Sequence, residues 1–182
     1  CSESSMPRLG SYLPLLSVAA IVVVASSSPV TTNDTFWQIQ AGRLFLQTGK
    51  VPHCDSFTWT FRGKPWVNHE YLSSAIFAIV ERVWHAGGLQ ALTAVVLFAA
   101  FLFLWKACNL TVGNRTGSFF PYLVLLATYS LLPRVIPRPH IFSILGACYL
   151  TFLLCCLLKG KTSALYSFPP VLFLWAQLHG GF

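Results

Sequence analysis

Asp34, Lys64, His69, Glu70, Arg138, His140 and His179 are the residues of this chain whose types could do chemistry. A positioned carboxylate takes a proton from a hydroxyl, guanidinium and ammonium groups hold phosphate, and imidazole serves either purpose near neutral pH. Asp34 and Glu70 are the acid-base candidates, with His69 beside Glu70 in support. Lys64, Arg138, His140 and His179 are the candidates for holding an anion.

Each has a plainer reading. Asp34 precedes a helical pattern, where Asp is among the best caps. Asn68 would cap a second helix, with Glu70 in the first turn, where the helix dipole favours a negative charge. Arg134 and Arg138 lie among Pro133, Pro137 and Pro139. Prolines punctuate helix ends, and arginine at a membrane boundary snorkels. Gly180 and Gly181 would end a helix, or let backbone N–H groups approach an anion beside His179. The pair His69-Glu70 falls short of the zinc signature, which needs a second His four residues on; position 73 is Ser. The sequence makes no cofactor certain and leaves a divalent metal open.

The composition says where such residues must sit. Of 182 residues, 55% are hydrophobic and only 9% charged, against about 25% charged in soluble proteins. This is the composition of an integral membrane protein. At about 20 apolar residues per spanning helix, the chain has room for five or six spans and one long loop. The net charge of +7 comes from twelve Lys and Arg scattered singly. That pattern excludes nucleic acid and points to membrane lipids and a phosphate-bearing partner at the membrane surface. The six cysteines show no CxxC or Cys/His metal spacing and read as packing residues. The missing initiator Met and the ending just after an apolar segment read as an N-terminal fragment.

The fold class expected is all-α, a polytopic membrane helical bundle with a long first extracytoplasmic loop carrying interfacial helices. Residues 9–28 form the first expected span. The loop covers 29–88, with interfacial helices over about 34–48 and 69–85. In the first of these, Trp37, Ala41, Leu44 and Phe45 share a face opposite Gln38, Gln40, Arg43 and Gln47, and Gly49 with Pro52 ends it. Between the two helices, alternation over 56–61 and the turn residues 62–65 predict a short extended piece. Further spans are expected at 89–106, 118–133, 141–158 and 164–178, the second helix being broken at Gly87-Gly88.

Topology turns on whether 71–84 crosses the bilayer. If it does not, and the N-terminus is cytoplasmic, then Arg8, Lys106, Arg115, Lys159 and Lys161 all fall inside, as the positive-inside tendency requires. The same arrangement gathers Asp34, His69, Glu70, Arg138, His140 and His179 on the outer face, and it is the preferred one.

The order of parts, and the stretches Asp34-Thr35-Phe36-Trp37, Asp55-Ser56-Phe57-Thr58-Trp59-Thr60, Trp66-Val67-Asn68-His69-Glu70-Tyr71-Leu72, Arg138-Pro139-His140 and His179-Gly180-Gly181-Phe182, resemble the N-terminal half of a GT-C membrane glycosyltransferase. That superfamily uses polyprenyl-phosphate-linked sugars and includes the protein O-mannosyltransferases and the aminoarabinose transferase of lipid A. The likeness is greatest to bacterial multi-span members. It implies a catalytic role for Asp34, in the first-loop acid position, and phosphate binding for Lys64, which opens the Lys-Pro turn. The chain departs from the pattern at Thr35, where mannosyltransferases carry a second acid, at Trp66, which replaces a proline, and at Arg138-Pro139-His140, where another Asp is usual. Glu70 or His140 would then substitute for the missing acid.

The expected function is therefore sugar transfer from a polyprenyl-phosphate-linked donor to a cell-envelope acceptor (lipid, glycan or protein), on the extracytoplasmic face of a bacterial inner membrane. The alternatives are a transporter of lipid-linked glycans, which would place polar groups inside the spans, and a non-catalytic membrane subunit whose loop docks a partner.

Overall fold

The computed structural model describes residues 19–20, 22–23, 26–27, 29–30, 32–112, 123, 126, 130 and 135–181. Over these residues the chain is all-helical, with no strand. The expected spans 9–28 and 118–133 lie largely outside this set, as do Arg134 and Phe182.

Helix α1 runs Asn33–Thr48. Asp34 sits in its first turn, where the exposed N–H groups favour a carboxylate. Gly49 ends it in the left-handed conformation (φ 66°), its N–H donating to the Phe45 carbonyl at 2.8 Å. The buried face is not the one expected. Thr35, Gln38, Ile39, Ala41 and Gly42 are buried, so Gln38 points inward from what hydropathy alone marks as the polar side.

The segment from α1 to the next helix folds back on itself. A single antiparallel bridge joins Cys54 to Pro65, and Asp55 N–H donates to the Lys64 carbonyl at 2.9 Å. Gly63 (φ 80°) turns the chain and donates to the Asp55 carbonyl at 2.7 Å. The Asp55 carboxylate accepts from the N–H groups of Phe57 and Thr58 and from the Thr58 hydroxyl. These donors, the Thr58 hydroxyl first, hold its carboxyl below the ordinary value. Trp66 docks the turn by edge contacts with Trp37 and Phe57, at centroid distances of 5.5 and 6.0 Å.

Helix α2, Tyr71–Val112, is two helices joined at His85, whose φ of 52° and ψ of −150° are not helical. The break therefore falls two residues before the Gly87-Gly88 pair that the sequence offered. Gly88 is used for packing instead: a Cβ there would lie 2.5 Å from Cβ of Trp84. Helix α3 is His140–Leu158. Pro137, Arg138 and Pro139 lead into it, and Ile141 and Phe142 N–H donate back to the carbonyls of Arg138 and Pro139. A 3-10 segment, Thr162–Ser167, then gives way to α4, Phe168–Leu178, with prolines in its first turn, where a missing N–H is harmless.

Among the described residues, two helical segments, Tyr71–Thr111 with its break at His85 and His140–Leu158, are long and apolar enough to cross a membrane. Residues 164–178, expected as another span, are divided between the 3-10 segment and α4. The 11 residues of α4 rise only about 17 Å, roughly half of a hydrocarbon core about 30 Å thick.

One hydrophobic cluster ties α1, α2 and α3 together through Ile39, Phe77, Leu89, Val96, Ile141 and Phe142. Two glycines set how closely the helices approach. A Cβ on Gly42 would lie 1.9 Å from the Ser74 carbonyl oxygen, so α1 crosses α2 backbone to backbone. A Cβ on Gly146 would lie 2.7 Å from the Trp175 ring, which holds α4 against α3. These contacts place the start of α1, the start of α2, the turn before α3 and the end of α4 around one space.

Candidate functional site

That space is a cleft of about 540 Å³. Asp34, Gln38, Glu70, Arg138, His140 and His179 supply its polar lining, and Trp37, Ile136 and Pro139 its apolar part. Five of the seven residues singled out above therefore meet here from four separate parts of the chain. Helix geometry explains the pairing of Asp34 with Gln38, which lie one turn apart on the same face of α1. The proline-bounded turn brings Arg138 across to them.

Asp34 and Arg138 form an ion pair across the cleft. Their side chains are 50% and 37% exposed respectively, so the pair sits at the wet rim. Thr35, fully buried, donates to the Pro137 carbonyl at 2.9 Å and fastens α1 to the turn that carries Arg138. Arg138 Nε lies buried without an acceptor among the described residues.

Glu70 lies deeper, 15% exposed. Its Oε2 accepts from the Gln38 amide at 2.6 Å, and Gln38 in turn accepts from the Ser74 hydroxyl. Its Oε1 faces Nε2 of His179 at 3.4 Å and Nε2 of His69 at 3.7 Å. The Asn68 side-chain oxygen accepts from the Glu70 N–H at 3.1 Å, which starts α2 at this point.

His179 follows α4 in extended conformation, its N–H donating to the Trp175 carbonyl at 3.0 Å. Its Nδ1 lies 2.6 Å from Ser143 Oγ. The glycines after it lie close against imidazole rings. A Cβ on Gly180 would meet the His69 ring at 3.0 Å, and one on Gly181 would meet the His179 ring at 2.8 Å. His69 borders the site through Glu70 but does not line the cleft. Lys64 stands apart in the folded-back loop, with its ammonium 4.8 Å from the centre of the Phe61 ring.

Gln38, Thr35, Ser74 and Ser143 belong to the site and were not singled out beforehand. Isolated Gln, Ser and Thr carry little signal in a sequence, and on a helix they read as solvent-facing or capping residues. Among the described residues, no group of three His, Cys, Asp or Glu is placed to hold a metal ion. The arrangement offers two carboxylates, a guanidinium and imidazoles around one cavity, which suits acid-base chemistry on a substrate with an anionic group.

No family model, curated protein or solved structure matches this chain.

Proposed function

We propose that this chain forms part of a membrane glycosyltransferase that moves a sugar from a polyprenyl-phosphate-linked donor to a cell-envelope acceptor on the extracytoplasmic face of a bacterial inner membrane. The observation that carries the reading is the convergence of Asp34, Glu70, Arg138, His140 and His179 on one cleft at the ends of apolar helices. That is where a donor whose tail lies in lipid would present its phosphate.

In this reading Asp34 accepts the proton of the acceptor hydroxyl as the new glycosidic bond forms. The bond from the sugar to the phosphate oxygen breaks, and the negative charge that builds on the departing phosphate is met by Arg138 and His179. Arg138 couples the two events. It pairs with Asp34 across the cleft; a phosphate that draws the guanidinium to itself leaves the Asp34 oxygens available to a hydroxyl. Glu70 supports the site, its carboxylate accepting from the Gln38 amide. Lys64, away from the cleft lining, would act on the donor only from the loop.

The test is the full-length protein with Asp34→Asn, supplied with labelled lipid-linked sugar. Sugar transfer should fall by about 100-fold or more, the usual scale of a lost general base. Turnover at the wild-type rate would remove Asp34 from the mechanism.

A further inference from the structure

We propose that Ser143 is a positioning residue: anchored by Trp175, its hydroxyl donates to Nδ1 of His179 and fixes that imidazole as the neutral tautomer with its proton on Nε2, directed at Glu70. The reasoning starts at Trp175, which is buried at 8% exposure and wedged against Gly146. Its indole N–H can only donate, and it lies 2.7 Å from Ser143 Oγ. That contact occupies a lone pair of the hydroxyl and leaves the Ser143 proton to be given away. Nδ1 of His179, 2.6 Å distant, is the acceptor in place.

The other side of the ring asks for the same tautomer. Nε2 faces Glu70 Oε1 at 3.4 Å, and an ionised carboxylate can only accept. A bare lone pair on Nε2 would confront it with like charge, whereas an N–H is attracted. Donation at Nδ1 and acceptance beyond Nε2 are thus separate contacts that this tautomer satisfies together. Residue 181 has to be small for the contact to form, since a Cβ there would lie 2.8 Å from Nδ1 and 3.1 Å from Ser143 Oγ.

In this tautomer His179 has no lone pair facing the cleft. It has one N–H to give, shared between Glu70 and a phosphate oxygen, and cannot remove a proton from a hydroxyl, which leaves the base role to a carboxylate. Only this consequence for the reaction rests on the function proposed above. The tautomer itself stands or falls by spectroscopy.

The experiment is 15N NMR of the full chain labelled at histidine nitrogen, in lipid nanodiscs at about pH 8, above the ordinary histidine range. His179→Gln identifies the resonances. The expected spectrum shows His179 with an unprotonated, hydrogen-bonded Nδ1 and a protonated Nε2. A protonated Nδ1, in either the other neutral tautomer or the imidazolium, would overturn the proposal, and the wild-type protein alone decides this. In Ser143→Ala the Nδ1 resonance should shift towards that of a ring nitrogen free of hydrogen bonds, and Ser143→Thr should restore it. An unmoved Nδ1 in Ser143→Ala would overturn the role given to Ser143. If sugar transfer is never observed but these shifts appear, the transferase reading fails and the tautomer assignment survives. The opposite pairing of results separates them equally well.

Discussion

Asp34 and Glu70 face the same cleft, but Asp34 is half exposed and meets a full cation, whereas Glu70 is 15% exposed and meets an amide and two imidazoles. The difference follows from depth. At a wet rim a carboxylate is solvated whether or not its partner stays, so the Arg138 contact can be exchanged for another at little cost. Deeper in the protein, a charge must be met by donors that are themselves held in place. Glu70 has these in Gln38, which is braced by Ser74 and nearly fully buried. The cleft therefore pairs one exposed carboxylate with an exchangeable partner and one built into its wall.

The strongest way to break this comparison is to read the two residues by activity and by stability separately. Asp34→Asn should cut transfer by about 100-fold or more while changing the unfolding free energy by no more than about 1 kcal/mol, as for other exposed ion pairs. The matching change at the wall, Glu70→Leu, should lose stability as well. The Gln38 amide N–H is left without its acceptor, at a cost of about 2 kcal/mol, to be measured as a lower denaturation midpoint in detergent. Equal stability of the two variants would mean that Glu70 is not part of the wall.

The wall itself depends on the close crossing of α1 and α2. Gly42→Ala puts a methyl group where the Ser74 carbonyl lies, and backbone cannot step aside as a flexible side chain can. A loss of about 3 kcal/mol is expected, the upper part of the range for overpacking, so this change should rank above Glu70→Leu in any thermal-shift series. The smallest effect lies outside the cleft, at Asp55. Its folded pKa is depressed, so whatever this group contributes is fully present above the ordinary aspartate value of 3.8 and is lost as pH falls through the folded value. Thr58→Val removes the largest cause of the depression and should bring the Asp55 carboxyl back up towards 3.8 in an NMR titration, leaving the cleft untouched.

Much of the site was legible because its charged residues are so few. In a chain that is 9% charged, Asp34, Glu70 and Arg138 had few other reasons to exist, and each fell at or just before the start of a helical pattern. Helix α1 was legible for local reasons, with Asp34 at its start and Gly49 at its end. The face it buries was not. Hydropathy puts Gln38 towards water, but an amide that finds a carboxylate and a hydroxyl inside the protein satisfies both its oxygen and its nitrogen there. Lys64 shows the opposite failure. Its neighbours Gly63 and Pro65 marked a turn correctly, but nothing in the turn said which way the ammonium would point. The length of α4 was obscured because Ala164, Leu165, Tyr166 and Phe168 are apolar, and hydropathy cannot tell a 3-10 segment from an α-helix.

His85 places a non-glycine residue at a positive φ within α2, a conformation worth on the order of 1–3 kcal/mol of strain. Glycine at a helical position ordinarily lowers stability by about 1 kcal/mol. At this one position the sign should invert, and His85→Gly should raise the melting temperature. Any stabilising consensus or design procedure that scores residues by helix propensity would therefore rank position 85 the wrong way round.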